Sequence, residues 1–198
     1  MCNDKTTEDE RARLFHEIAL PCLDDIYRLA YFLMRNRSDA EDAVQECYLR
    51  AWRHFESWSG TSIKPWLHAI ARNVCLFELS GRDRKEMPAD LHACDFTAEQ
   101  LLWSEPPASA EAEMIAHDER ETVRKTLLSL PSELREIIVL REFNDLSYRE
   151  IAGIACVPIG TVMSRLSRAR AAFAAAWKKA DEEPSDGEHS PRTLALTI

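Results

Sequence analysis

Apolar positions recur at helical spacing along most of the chain, and the breaks between them mark the elements. Residues 9–35 read as helix bent at Pro21, with Leu23, Ile26, Tyr27, Leu29, Ala30 and Leu33 on the apolar face. Asn36 and Arg37 make a turn. Ser38 and Glu41 form an S-x-x-E capping box that opens SDAEDAVQECYLRAWRHF, whose apolar positions include Val44, Cys47, Tyr48, Ala51, Trp52 and Phe55. A polar loop (57–63) follows, with Ser62 able to cap KPWLHAIARNVCLFEL. In that helix Leu67, Ile70, Val74 and Phe77 repeat as a core stripe. Periodicity fades over 86–119, where prolines interrupt and short helical pieces around 96–103 are the most that is expected. Helices are predicted again over 118–130 and 132–143, separated by Pro131. Polar residues dominate after Ala180, and disorder is expected there. No strand and no internal repeat emerges, so the fold class is all-α.

The sharpest stretch is SYREIAGIACVPIGTVMSRLSRAR. Ser147 and Glu150 form a second capping box, opening a short helix from Tyr148 to Ala155. Cys156, Val157 and Pro158 stop it, because proline cannot continue the hydrogen-bond ladder. A longer helix starts near Ile159 or Gly160 and runs towards Trp177. Two helices joined by so tight a turn read as a helix-turn-helix. At 100° per residue, Val162, Leu166, Ala169 and Phe173 fall on one core-facing stripe. Ser164, Ser167, Arg168 and Ala171 lie opposite, with Thr161 and Met163 at the margins and Arg165 and Arg170 flanking. An ordinary solvated face is the alternative. Small hydroxyls beside arginine suit base edges, and from Pro158 to Lys179 five basic residues stand without one acid.

Net charge changes the picture only once it is mapped. The 198 residues sum to −9, which argues against a nucleic-acid binder. Yet residues 26–85 carry ten basic against seven acidic side chains, and residues 120–180 eleven against six. Residues 86–119 hold nine acids and no lysine or arginine. Two mildly basic helical blocks joined by an acidic connector fit a two-module nucleic-acid protein. The six cysteines lack any C-x-x-C pair, so reduced thiols are the simplest reading. Cys47, Cys75 and Cys156 sit in apolar helical patterns and are expected to pack as small hydrophobes. The charged first residues make no signal peptide, and no apolar run reaches membrane length, so a cytoplasmic protein is expected.

Two separated motifs resemble a known family, the extracytoplasmic-function sigma factors of bacterial RNA polymerase. SDAEDAVQECYLRAW with KPWLHAIARNVC carries the first, and LPSELREIIVLREFNDLSYREIAGIACVPIGTVMSRLSRARAAF the second. Either alone is a weak signal; both in this order across a linker are specific. The resemblance implies a region 2-like domain (9–85), an acidic linker (86–119), a region 4-like helix-turn-helix domain (120–179) and a tail (180–198). The first domain would dock on core RNA polymerase through Asp39, Glu41, Asp42, Gln45 and Glu46, and meet the promoter −10 element through Lys64, Arg72, Asn73, Arg82, Arg84 and Lys85. The second would read the −35 element through Thr161, Met163, Ser164, Ser167 and Arg168, with Arg149 and Arg165 on phosphates. An anti-sigma partner is a family expectation. Met163 stands where many relatives carry a basic residue, and FELSGRDRK is less basic than the run common at that place.

A stand-alone helix-turn-helix regulator is the alternative, although the first block offers no effector motif. No catalytic reading is supported: the six histidines are never paired at ligand spacing, and neither a nucleophile motif nor a phosphate-binding glycine loop occurs. His92 and Cys94 with Cys75 and His117 match no closed metal site. No cofactor is expected.

Overall fold

The structure, a computed structural model, describes residues 3–82 and 110–182. Among these the elements are helical and no strand occurs. Helix α1 covers Asn3–Ala19. A 3-10 turn with Pro21 in it, Leu20–Cys22, bends the chain into α2, Leu23–Met34. Helix α3, Arg37–His54, runs into a second 3-10 turn, and α4 spans Ile63–Arg82. In the second block α5 is Ala110–Ser129, beginning eight residues before the predicted start, and α6 is Ser132–Ile138. The final turn expected of α6 widens into a π turn, Val139–Phe143, closed by the Asn144 amide on the Val139 carbonyl at 3.1 Å. Helices α7, Tyr148–Ala155, and α8, Ile159–Glu182, complete the described elements.

Local chemistry explains the ends of these helices. The cap of α3 is Asn36 rather than Ser38: Arg35 turns left-handed (φ 60°), Asn36 extends, and its side chain accepts from the Asp39 amide. The box before α7 is present in full. Ser147 Oγ accepts the Glu150 amide, and Glu150 Oε2 accepts the Ser147 amide at 2.8 Å. Cys156 then takes φ 54°, a left-handed C-cap that sends its thiol outward. It is exposed, so the expected packing of Cys156 is corrected; Cys47 and Cys75 are buried as expected.

The core stripes follow the apolar pattern with three corrections. In α2, Ile26, Leu29, Ala30 and Leu33 are buried; in α8, Val162, Leu166, Ala169 and Phe173 are buried. Each of these side chains larger than alanine contributes on the order of 1.5–3 kcal/mol from burial. Leu23, placed on the α2 stripe, is instead 40% exposed at the first turn. Phe77 is 67% exposed and Ile70 is only half-buried. The buried side of α4 consists of Leu67, His68, Ala71, Val74 and Cys75. It is rotated towards His68 because α7, from the other block, packs against α4 as well as α2 and α3 do. The two blocks, which the sequence pattern presents as separate modules, are thus docked, and their buried residues form one continuous cluster.

Polar side chains also cross the seam between the blocks. Arg28 Nη1 donates to the Phe143 carbonyl (2.8 Å), to Asn144 Oδ1 (3.1 Å) and to Asp25 Oδ1 (2.9 Å). Arg72 Nε donates to Glu136 Oε1, and Arg124 Nη1 to the Tyr31 hydroxyl at 2.9 Å. Phe32 and Phe143 supply the ring contact, 6.4 Å apart. Arg135, also buried, donates to the Leu128 and Leu130 carbonyls where α5 ends. Burial and the charge of Arg35 pull its guanidinium down to about 10.

Candidate nucleic-acid interface

The helix-turn-helix is rigid where it must be. The box fixes the start of α7, the Val157 amide closes on the Ala152 carbonyl, and Thr161 and Val162 amides reach the Pro158 carbonyl to begin α8. This turn aims one face of α8 outward. Met163, Ser164, Ser167 and Arg168 are exposed, and Thr161 is half-buried. Ser164 Oγ donates to the Thr161 carbonyl at 3.0 Å, leaving the hydroxyl oxygen as an acceptor. Arg168 has no ion-pair partner among the described residues. Arg149 is exposed on α7. Arg165 differs: its Nη2 lies 3.0 Å from Glu133 and its side chain is only 19% exposed, so in this conformation it is held by a carboxylate. Arg170 is likewise held by Glu142, at 2.7 Å.

The face of α4 is less open. Lys64 Nζ lies 2.6 Å from Asp25 Oδ2, and Arg72 is paired with Glu136 with both side chains largely buried. Asn73 is exposed. Arg82 ends α4. Arg84, Lys85, His92, Cys94, the connector up to 109 and the tail from 183 lie outside the described residues. Trp58 is half-buried with its ring stacked 6.0 Å from Phe55, and Trp66 is half-buried.

On α3 the acidic residues line the first turns. Asp42 and Gln45 are exposed, and Asp39 and Glu46 are half-buried. Glu41 and Glu46 pair within the helix, with Arg37 at 2.7 Å and Arg50 at 2.6 Å. Such exposed pairs contribute little to stability and leave the patch available to a partner.

Three residues that sequence reasoning did not single out sit at the centre of the seam: Arg28, His68 and Asn144. His68 Nδ1 is 2.7 Å from the Lys64 carbonyl, which can only accept, so the proton is on Nδ1. Its Nε2 therefore accepts from Asn144 Nδ2 at 2.9 Å. Burial, opposed by that backbone bond, brings the imidazole down to about 4. A histidine one residue beyond Leu67, on the core side of α4, was the available signal. Among the described residues no group of His, Cys, Asp and Glu could hold a metal ion, and no helix is long and apolar enough to cross a membrane.

Known proteins share both blocks. The family model for sigma-70 region 2 matches residues 20–85, and that for sigma-70 region 4 matches residues 120–173. A helical region 2 followed by a helix-turn-helix region 4 defines a sigma-70-type transcription factor. The chain is 34% identical over 169 residues to the ECF RNA polymerase sigma factor SigE of Mycolicibacterium smegmatis, covering 84% of this chain and 63% of that protein. It is 33% identical to the RNA polymerase sigma-H factor of Pseudomonas aeruginosa, covering 81% of this chain and 84% of the relative. Against the ECF RNA polymerase sigma-E factor of Escherichia coli K12 it is 38% identical, over 68% of this chain and 72% of the relative. The sigma factor RpoE of Bartonella quintana, solved in complex with the anti-sigma factor NepR, superposes with a TM-score of 0.64 at 28% identity, over 83% of this chain and 96% of that one. CnrH, solved with the cytosolic domain of CnrY, shares the fold at a TM-score of 0.57 and 23% identity, over 86% of this chain and 91% of that one. The chain belongs to the extracytoplasmic-function sigma factors, the alternative sigma factors of transcription initiation.

Proposed function

We propose that the chain joins core RNA polymerase through the acidic start of α3 and directs it to promoters that it reads at two points. Asp39, Glu41, Asp42, Gln45 and Glu46 are the polymerase contacts. Lys64, Arg72, Asn73, Arg82, Arg84 and Lys85 meet the −10 element as single strand, and the segment 86–119 crosses the enzyme between the two grips. Its run of acids without a cation suits basic walls built for RNA. The second block, 120–179, reads the −35 duplex with the open face of α8. Ser164, Ser167 and Arg168 address base edges, Met163 offers an apolar surface suited to a thymine methyl, and Arg149 and Arg165 take phosphates. The factor carries no chemistry of its own; the reaction belongs to the polymerase. An anti-sigma protein is the expected regulator, because the Bartonella relative was solved with one.

The observation that carries this reading is the exposed Arg168, without an ion-pair partner among the described residues, on a helix whose core side is buried from Val162 to Trp177. Arg168→Ala is expected to weaken −35 recognition by about 1–3 kcal/mol while leaving polymerase association intact. Run-off transcription from a promoter library, beside co-purification with core enzyme, measures both. Unchanged output from the cognate promoter removes Arg168 from the reading face. Tight sequence-specific binding to duplex in a gel shift without polymerase would make the chain a free-standing regulator instead.

A further inference from the structure

The contacts assigned to the −35 duplex give no role to Ile159, the first residue of α8. Two large apolar side chains of this helix stand in solvent, Ile159 at 49% exposure and Met163 at 54%. Neither belongs to the packed core, although Val157, in the turn just before them, rests against it. Four residues apart, they project only about 40° from each other around the axis and so form one apolar edge. Ser164 and Ser167 lie between that edge and Arg168, which projects about 140° from Met163. Gly160 opens onto the same outward face: a Cβ there would meet nothing within 4 Å beyond its own turn. Glycine costs a helix stability relative to alanine, so the fold gains nothing from the bare position, which suits a surface that comes close to the backbone. From Ile151 to Ala180 the chain has no acidic residue, and Arg149 and Arg168 are exposed. The matching surface is therefore anionic overall and apolar at one or two points. Duplex DNA fits that description, with phosphates along the groove walls and thymine methyls on the major-groove floor.

We infer that Ile159 and Met163 form an apolar lip that selects thymine by its C5-methyl group, so that the −35 element of this factor carries thymine where the start of α8 meets the major groove. The inference rests on the assignment of α8 to that duplex. In a helix-turn-helix the first residues of the second helix reach the base edges. The projecting apolar group that base pairs display there is the thymine methyl. Selection works in both directions. A methyl under the lip leaves water on both sides, whereas an amino group or carbonyl oxygen covered by the lip loses its water and gains no hydrogen bond. The unbranched thioether of Met163 can follow a methyl on either strand, while β-branched Ile159 holds a fixed shape. At 1.5 Å per residue, Ile159 and Arg168 are about 13 Å apart along the helix, roughly four base steps of 3.4 Å. The selected thymines therefore lie within about four base pairs of the base that Arg168 reads.

The test uses holoenzyme assembled from the full chain and core RNA polymerase, selected on duplexes randomised over the −35 element. The preferred duplex is then resynthesised with deoxyuridine in place of each thymine in turn, a change that keeps the base pair and removes only the methyl. Affinity is measured by filter binding at one fixed salt concentration, since phosphate contacts respond to salt. The expected result is a loss of about fourfold at one or two positions, the change that burying one carbon brings. With Met163→Ala or Ile159→Ala that penalty should vanish at the position which the missing side chain covers. Both sites are exposed and helical, so these variants are expected to melt as the wild type does. Silence of deoxyuridine at every thymine, or the same penalty in both variants, overturns the lip. Arg168→Ala separates the premise from the proposal. If it weakens binding while deoxyuridine is silent, α8 still reads the −35 duplex and the lip alone falls. If the selection yields no −35 preference and Arg168→Ala changes nothing, the assignment of α8 falls and the lip with it.

Discussion

The buried imidazole of His68 links stability to pH with a sign and size set by its surroundings. The groups facing it are the Lys64 carbonyl and ammonium in α4, Asp25 and Arg28 in α2, and Asn144 and Glu150 from the second block. Burial dominates and disfavours the charged form, bringing it from 6.5 in an open chain to about 4 in the fold. Between these values an unfolded chain binds a proton that the native chain does not, so stability is complete above about pH 6.5 and falls as pH drops towards 4. At 1.36 kcal/mol per pH unit the loss amounts to about 3 kcal/mol. Carboxylates titrate nearby, so the comparison must be with His68→Gln, which cannot titrate. Urea unfolding followed by tryptophan fluorescence at about pH 7.5 and about pH 4.5 gives both stabilities by linear extrapolation. The wild type is expected to lose about 2–3 kcal/mol more than the variant over that interval. Equal losses would refute the claim that burial holds this ring neutral.

Two further outcomes test the helix-turn-helix and the thiols. Ser147→Ala removes the cap of α7 and should lower stability by about 1 kcal/mol in the same urea assay, and no change would mean that the box is idle. With iodoacetamide under native conditions, Cys156 should be modified while Cys47 and Cys75 are spared, because burial pushes both of those thiols up to about 12. Peptide mass mapping reads this directly, and comparable modification of Cys47 would show that the first block opens readily.

What could be read from the chain is what local pattern encodes. The core side of α8 and the box at Ser147 each lie within a few residues of sequence, and the structure has both. Asn36 and Ser38 are equally good caps on paper. The left-handed Arg35, a conformational fact no pattern displays, gives the role to Asn36. On α4, Leu67 and Val74 are buried as their spacing predicts, but the other half of the stripe is not. Ile70 and Phe77 look like core by spacing, but packing from a segment more than sixty residues later turns the buried side towards His68 and Arg72. Asn144 in FND reads as an ordinary turn residue, and nothing nearby announces a partner in another block. Two docked blocks would, on pattern alone, count against two separate promoter grips. The family matches over both blocks, residues 20–85 and 120–173, support the assignment independently of how the blocks are arranged.

The five-residue swelling at Val139–Phe143 makes the gene sensitive to the smallest length change. Losing one codon there would convert the wide turn to an ordinary helical one and swing Asn144 about 100° around the axis. Helix α8 and the capped α7, lying wholly downstream, would keep their own geometry. A single deletion would therefore undo the contacts of Asn144 with Asp25 and His68 while leaving the buried stripe from Val162 to Trp177 intact.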